Sequence, residues 1–200
     1  MKLGVLGGTF DPIHNGHLAV ADEVRKRLEP DEILFMPTRQ PWLKAGKPLT
    51  EAEHRIEMVR LAIADKPCCK LSTIEIERAG PSYTVDTMAE LRTQLGDRSE
   101  LFFILGWDSL AELPEWREPG QIIRLCRLVA VPRPGYPRPD LDLLESSIPG
   151  LMERVTILDK PEVDVSASDI RERVARGKSI SGLVPEAVER YIKEKGLYRK

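Results

Sequence analysis

Two of the three histidines of this 200-residue chain, His14 and His17, lie three residues apart in the segment GGTFDPIHNGHL at residues 7–18. A helix that begins near them would place both imidazoles on one face, because residues three apart are neighbours on a helix surface. Gly16 between them carries no side chain that could obstruct a ligand there. Imidazole N–H groups donate hydrogen bonds to phosphate oxygens. The spacing therefore predicts a pair of donors that face one anionic group.

Gly7 and Gly8 come directly after a short apolar run and before a helical pattern. Glycines at the end of a first strand let the main chain approach a ligand, and the N-terminus of the next helix offers unpaired N–H groups to an anion. We therefore expect a phosphate here. Three other interpretations stay open: a plain tight turn, a metal site formed by Asp11 with the two histidines, and a structural histidine pair. The glycine spacing does not match the dinucleotide-binding sequence GxGxxG, and GKS at residues 177–179 lacks the earlier glycine of a Walker A loop.

A second set of phosphate-binding candidates occurs late in the chain, in VSASDIR at residues 165–171. Ser166 and Ser168 precede a predicted helix that begins at about Ser168, and the N-terminus of that helix would form a second anion site. Arg171, three residues after Ser168, would add a positive charge. The alternative is that Ser168 is an ordinary N-cap residue. Beside the histidine pair, we prefer the anion site.

These candidate residues must be positioned by a sheet, because apolar segments with strand and helix periodicity alternate along the chain. Strands are predicted at residues 2–6, 33–36, 70–76, 101–105, 128–131 and 155–158. Helices are predicted at about residues 18–28, 51–64, 84–95, 168–177 and 185–195. This alternation is typical of an α/β fold whose ligands bind at the carboxyl ends of parallel strands. We expect a doubly wound, Rossmann-like parallel sheet with helices on both faces and a small helical C-terminal extension.

Composition and charge exclude several classes of protein. The net charge is −2 and no basic block occurs, so we expect no nucleic acid polymer as a partner. The apolar stretches are far shorter than the roughly 20 residues that cross a bilayer, so no membrane partner is expected. Three cysteines without a CxxC pair predict reduced thiols and a cytoplasmic protein. We predict one domain over residues 1–200, with a helical part at about residues 160–200 that carries the second anion site.

HNGH at residues 14–17 resembles the HxGH signature of the nucleotidylyltransferase superfamily, and VSASDIR resembles its second signature. Within that superfamily, the chain resembles bacterial nicotinate-nucleotide adenylyltransferases nearly from end to end. Further segments carry this resemblance: AEHR at 52–55, AGPSYTVDT at 79–87, LGWDSL at 105–110, PEW at 114–116, PRPGY at 132–136, LVP at 183–185 and GLY at 196–198. The second signature of the family usually begins Ile-Ser-Ser-Thr, so this chain lacks the middle hydroxyl at Ala167.

The resemblance implies an enzyme of NAD biosynthesis that transfers the adenylyl group of ATP to nicotinate mononucleotide and releases pyrophosphate. It also implies Mg²⁺ bound mainly through the ATP phosphates, with no dedicated metal site in the protein. The expected catalytic residues are His14, His17 and Arg171. The expected ATP-binding residues are Gly7, Gly8, Thr9, Phe10, His14, His17, Gly106, Asp108, Arg133, Ser166, Ser168 and Arg171. The expected substrate-binding residues are Thr9, Arg39, Lys44, Ser82, Tyr83, Thr84 and Trp116.

The substrate-binding residues have separate expected roles. Arg39 and Lys44 lie in a proline-containing loop after the second strand, where cations would close over phosphate groups. Main-chain N–H groups at the start of the helix after residues 82–84 would hold the nicotinate carboxylate, and Trp116 would stack on the pyridine ring. The alternative for Trp116 is packing in the core, although Pro114, Glu115 and Arg117 around it indicate a loop.

Three rival functions compete with this interpretation. The first is another adenylyl- or cytidylyltransferase, such as a phosphopantetheine adenylyltransferase, and residues 82–84 and Trp116 weigh against it. The second is a non-catalytic nucleotide sensor, which would not need the intact histidine pair. The third is a metal-dependent hydrolase that uses Asp11 with the two histidines, and tightly bound zinc or iron would favour it.

Overall fold

A six-stranded parallel sheet forms the centre of the computed structural model, which describes residues 1–39, 49–96 and 98–199. Its strands are β1 (Lys2–Gly8), β2 (Glu32–Pro37), β3 (Cys69–Leu71), β4 (Glu100–Gly106), β5 (Arg127–Val131) and β6 (Val155–Ile157). They are arranged in the order β3-β2-β1-β4-β5-β6, and every pair of neighbours is parallel. The order reverses between β1 and β4. In a sheet of this kind, ligands bind beyond the carboxyl ends of the strands at that reversal.

Helices connect the strands and cover both faces of the sheet. They are α1 (Asn15–Leu28), α2 (Ala52–Ala62), α3 (Ile74–Glu77), α4 (Thr84–Leu95), α5 (Trp107–Ala111), α6 (Pro119–Leu125), α7 (Leu141–Ser147), α8 (Ala167–Ala175) and α9 (Glu186–Glu194), with a 3₁₀ turn at Leu113–Glu115. Within the described ranges, none of the helices is long and apolar enough to span a membrane.

The two faces of the sheet build two separate hydrophobic cores. Along β4, Phe102 and Ile104 belong to one core, whereas Leu101, Phe103 and Leu105 belong to the other. Successive side chains of a strand point to opposite faces, so a strand that is covered on both sides must be apolar at every position. The continuous apolar run at residues 101–105 is the sequence of such a strand.

Helices α8 and α9 pack on the same face of the sheet as α1 and α2. Ile170 of α8 and Val188 and Ile192 of α9 share one core with Val24 of α1 and Met58 of α2. The helices that follow the last strand therefore bury their apolar faces against α1 and α2, and α1 begins at the first signature. The assignment of residues 1–200 to one domain stays a prediction.

The fold class expected from the sequence is confirmed: the sheet is parallel, doubly wound and Rossmann-like, with helices on both faces and further helices after the last strand. The strand expected at residues 70–76 is wrong in its second half. Only Cys69–Leu71 pairs with β2, and Ile74–Glu77 forms the single helical turn α3. The apolar Ile74 and Ile76 mimic strand alternation, but β3 ends after its three paired residues.

Candidate active site

The residues expected to bind phosphate gather at the carboxyl ends of β1 and β4. Residues 9–14 run from the end of β1 into α1, and Gly106 ends β4 directly before α5. The two strands are hydrogen-bonded neighbours in the sheet. The site therefore lies at the reversal of strand order, where the twist of a doubly wound sheet opens a crevice.

His14 and His17 lie against each other at the start of α1. His14 is the N-cap residue, its ring is stacked on that of His17 with centroids 3.8 Å apart, and its main-chain N–H donates to Nδ1 of His17 at 3.2 Å. Because Nδ1 of His17 is the acceptor, the proton of a neutral ring must be on Nε2. The main chain thus prepares one imidazole as a donor with a fixed tautomer.

Both histidines are neutral near pH 7. Burial, and then the positive charge of Arg133, lower the pKa of His14 to about 4. Burial also holds the pKa of His17 well below its ordinary value, with further contributions from His14 and Arg133. The pair accordingly offers uncharged N–H donors before a ligand arrives, and the charge of a bound polyphosphate would raise both pKa values.

Gly16 lies close to the His14 ring. A Cβ atom at residue 16 would lie 3.0 Å from Nδ1 and 3.1 Å from Cε1 of His14, inside ordinary van der Waals distance. The sequence interpretation that Gly16 leaves room for a ligand stays a prediction. What the structure shows is that a side chain at residue 16 would press on the ring of His14.

Phe10 lies under the histidines with an uncommon main-chain conformation. Its φ is 48°, in the left-handed region that costs a non-glycine residue about 1–2 kcal/mol. The side chain is buried, and its ring packs edge-on against His17 with centroids 4.9 Å apart and against Phe35 at 5.9 Å. The surrounding core therefore holds this strained turn directly before the first signature.

The second signature contacts the loop before the first signature through Arg171. Its guanidinium donates to the main-chain oxygen of Asp11 at 2.6 Å and to Oγ of Ser168 at 3.3 Å. The expected start of the helix at Ser168 is corrected: α8 begins at Ala167, and the N-cap is Ser166, whose hydroxyl accepts from the N–H of Asp169 at 3.1 Å. Ser168 lies in the first turn, exposed, and bonded to Arg171.

Asp108 and Arg133 form an ion pair at the end of β4. Oδ1 of Asp108 is buried without a hydrogen-bond partner among the described residues. A Cβ atom at Gly106 would lie 2.3 Å from that oxygen, so any side chain there would force the carboxylate to move. The positive charge of Arg133 also lowers the pKa of both histidines.

The residues expected to bind the second substrate are brought together only in part. Ser82 and Tyr83 lead directly into α4, which begins at Thr84, and Arg117 stacks over the ring of Tyr83 at 4.7 Å. Trp116 packs edge-on against Phe103 with centroids 6.0 Å apart, and its indole N–H has no partner among the described residues.

Of the two cations expected in the loop after β2, the structure describes only Arg39. Arg39 is exposed and donates to the main-chain oxygen of Arg78 at 3.1 Å. Lys44 lies outside the described residues.

Comparisons with known proteins show the family of this chain. The family model described as cytidylyltransferase-like matches residues 5–173, a range that includes both signatures. The chain belongs to the cytidylyltransferase-like family. It is 54% identical over 198 residues to a probable nicotinate-nucleotide adenylyltransferase of Dehalococcoides mccartyi strain CBDB1, covering 99% of this chain and 97% of that protein. A probable nicotinate-nucleotide adenylyltransferase of Roseiflexus sp. strain RS-1 is 48% identical, with 98% of each chain covered. The resemblance found in the sequence is confirmed.

Solved structures share the fold of this cytidylyltransferase-like chain. Plasmodium falciparum nicotinic acid mononucleotide adenylyltransferase in complex with APC has a TM-score of 0.80 at 20% identity, covering 98% of this chain and 96% of that one. The same enzyme in complex with NaAD has a TM-score of 0.79 at 21% identity, covering 98% and 97%.

Sequence reasoning missed the extent to which Arg55 supports the site in this cytidylyltransferase-like protein. The residue is 2% exposed, and its guanidinium donates to three main-chain oxygens, those of Thr9 at 2.9 Å, Thr38 at 2.7 Å and Thr50 at 2.9 Å. It thereby ties the loop after β1 to the end of β2 and the start of α2. A signal was present, because Arg55 falls on the same helical face as Met58, Val59 and Ala62.

The metal-site alternative finds no support in the position of Asp11. One carboxylate oxygen accepts from the hydroxyl of Tyr198 at 2.7 Å and the other from the N–H of Thr50 at 3.2 Å. Within the part of the chain that the structure describes, no group of three His, Cys, Asp or Glu residues is arranged to hold a metal ion. Both oxygens of the Asp11 carboxylate are therefore hydrogen-bonded within the protein, one to a main-chain N–H and one to a tyrosine hydroxyl.

Proposed function

We propose that the protein is a nicotinate-nucleotide adenylyltransferase of NAD biosynthesis, which joins ATP and nicotinate mononucleotide to give nicotinate adenine dinucleotide and pyrophosphate. One structural observation carries the chemistry. His17, with its tautomer fixed by the main chain, lies beside His14 at the start of α1, and the carbonyl of Asp11 just before them accepts from Arg171 of α8. The full-length similarity to proteins of this name supports the substrates.

The reaction needs positioning and charge stabilisation rather than a strong base. An oxygen of the mononucleotide phosphate attacks the α-phosphorus of ATP, and the bond from that phosphorus to the bridging oxygen of pyrophosphate breaks. A phosphate monoester is mostly dianionic near neutral pH, with a second pKa near 6, so the nucleophile needs no deprotonation. The site must hold two polyanions in line and stabilise the charge that develops on the transferred group.

We assign the α-phosphate to the first signature. Nε2 of His17 donates to it, with His14 and the main chain of Gly7, Gly8, Thr9 and Phe10 around it. Because both imidazoles are neutral and held by the protein before binding, they reorganise little as charge develops. Proximity to the phosphate raises their pKa values and strengthens the donors.

We assign the leaving pyrophosphate to the second signature. The N-terminus of α8, with Ser166 and Ser168, faces the same region as Arg171, and a guanidinium binds phosphate oxygens well because its donors form a planar fork. The hydrogen bond from Arg171 to the Asp11 carbonyl supports this assignment. We place Gly106, Asp108 and Arg133 at the adenosine side of ATP, where the buried free oxygen of Asp108 would accept from a hydroxyl or amine.

We assign nicotinate mononucleotide to the side of the crevice formed by α4. The N–H groups at Thr84, after Ser82 and Tyr83, would bind the nicotinate carboxylate, and Trp116 would stack on the ring. The unpaired indole N–H of Trp116 supports a ligand contact there. Arg39, Lys44 and Thr9 complete the proposed binding set.

Mg²⁺ fits this site as a companion of the nucleotide. The side chains at the phosphate end offer imidazole N–H, hydroxyl and guanidinium groups, all of which can donate to phosphate oxygens. When bound, the ion would neutralise phosphate charge through oxygens of ATP and water. No carboxylate cage is needed, and Asp11 is already occupied by two protein donors. The cytoplasmic location stays a prediction.

The test is pyrophosphate release by purified protein with ATP, Mg²⁺ and either nicotinate or nicotinamide mononucleotide. We expect turnover with the nicotinate form, and a loss of about 100-fold or more in kcat for His17→Ala, since one preorganised donor is removed. His54→Asn is the matched control, because it replaces the one histidine outside the pair and should stay within about two-fold of the parent. Absence of turnover with both mononucleotides contradicts the proposal.

A further inference from the structure

The residues after α9 turn back onto the loop that follows β1. Gly196 adopts a left-handed conformation with φ of 62° and ends the helix. The N–H of Leu197 donates to the carbonyl of Ile192 at 3.0 Å, and that of Gly196 donates to the carbonyl of Lys193 at 3.3 Å. These two bonds form a Schellman turn. Leu197 and Tyr198 consequently pack against the core that α1, α2 and α9 share.

The hydroxyl of Tyr198 contacts the loop between β1 and α1, directly before the first signature. It donates to Oδ1 of Asp11 at 2.7 Å, across 187 positions of sequence. Asp11 is 2% exposed, and its other oxygen accepts from the N–H of Thr50. A buried carboxylate is costly without such donors, so each of these bonds constrains where Asp11 can lie.

The main chain of Asp11 carries this constraint to the second signature. Its carbonyl oxygen accepts the 2.6 Å hydrogen bond from Arg171. The same residue begins the turn that leads to His14, the N-cap of α1. A shift of Asp11 would therefore displace Arg171 and His14, both of which we place on the ATP phosphates.

We propose that Tyr198 is a positioning residue for adenylyl transfer: by holding Asp11, it fixes the carbonyl that orients Arg171 and the loop that leads to His14. The expected effect on kcat rests on the proposed function. The hydrogen bonds that link Tyr198, Asp11 and Arg171 form without substrate. Tyr198 donates to no reacting atom. Burial and the neighbouring Asp11 charge raise the pKa of Tyr198, so its hydroxyl remains a donor at any working pH.

The primary test is Tyr198→Phe, which removes one oxygen and leaves the ring in the core. Tyr191→Phe is the matched control, because it also removes a hydroxyl, one on α9 whose partner is Nδ1 of His54 at 2.8 Å. We expect kcat to fall about ten-fold in Tyr198→Phe, since small displacements of positioned groups are costly, with KM for nicotinate mononucleotide within about two-fold. Tyr191→Phe should keep kcat within about two-fold of the parent.

Two further measurements separate positioning from general stability. In a double-mutant cycle with Asp11→Asn, the Tyr198→Phe loss in kcat should be smaller than in the parent, because the two residues act through one contact. In the absence of substrate, amide hydrogen exchange in residues 9–14 should be faster in Tyr198→Phe than in Tyr191→Phe. All variants are assayed well below their unfolding temperatures, so kcat refers to folded protein.

The outcomes are distinct. An unchanged kcat and unchanged exchange in folded Tyr198→Phe overturn the inference and leave the proposed function intact, as does strict additivity with Asp11→Asn. If the parent fails to release pyrophosphate, the proposed function falls, and the exchange measurement alone decides whether Tyr198 positions the loop. If Tyr198→Phe does not fold, Gly196→Ala, which strains the turn that delivers Tyr198, must lower kcat; an unchanged kcat in that variant also overturns the inference.

Discussion

Replacement of His14 by asparagine should flatten the pH dependence of folding stability in mild acid. The pKa of His14 is lowered from 6.5 to about 4 in the folded protein. Below about pH 6.5 the unfolded chain therefore binds a proton at residue 14 that the folded chain does not bind until about pH 4. The contribution of neutral His14 to the free energy of unfolding is therefore complete above about pH 6.5 and is lost as the pH falls from there to about 4.

The size of the effect follows from the two pKa values. Linkage gives a loss of about 2 kcal/mol at about pH 5 and about 3 kcal/mol at about pH 4, relative to neutral pH. Either value is a sizeable part of the roughly 5–15 kcal/mol by which a typical domain is stable. Acid sensitivity should therefore be readily measurable in the parent protein.

Urea unfolding at about pH 7.5 and about pH 5, for the parent and His14→Asn, measures this effect. Asparagine is a favourable N-cap residue, so α1 keeps a capped start while the titrating group is removed. The parent should lose about 2 kcal/mol more than the variant between the two conditions. Carboxylates titrate in both proteins and cancel in this difference. Losses that agree within about 0.5 kcal/mol would refute the assignment of a buried, neutral His14.

Two further substitutions test the support of the site. Gly16→Ala should change the free energy of unfolding by no more than about 1 kcal/mol, because the gain in helix propensity opposes the close contact with His14. Its kcat should fall about ten-fold or more, because that contact displaces the His14 ring. Full activity of this variant would contradict the ring position. Arg55→Leu should lower the free energy of unfolding by about 3 kcal/mol, because three buried carbonyls lose their donor and Asp11 loses its neighbouring charge. A loss below about 1 kcal/mol in urea unfolding would argue against that role.

The parts of the fold and site that depend on local sequence could be predicted. The run at residues 101–105 is apolar at every position because both its faces are covered, and such a run is read directly as a buried parallel strand. The first signature was equally accessible, since a spacing of three on one helix is enough to bring His14 and His17 together. The fold class and the histidine pair were therefore both available from the sequence.

The parts that depend on contacts between distant segments could not be predicted. The Tyr198 hydroxyl meets Asp11 across 187 positions, and Arg171 meets the Asp11 carbonyl across 160. Periodicity carries no information about which loops face each other after the sheet is assembled. The short helix α3 was misread for a related reason: two isoleucines spaced by two fit a strand, but pairing with β2 stops at Leu71.

The bond from the His14 main chain to Nδ1 of His17 has a consequence for substitution at these positions. Its donor is a peptide N–H, which every residue except proline supplies. A change of side chain at residue 14 therefore leaves the tautomer of His17 under the control of the backbone. The two histidines are therefore separable in mutagenesis: a substitution at residue 14 removes its own imidazole and leaves the His17 tautomer set by the main chain, whereas residue 17 must combine an acceptor near its Cβ with a donor farther out.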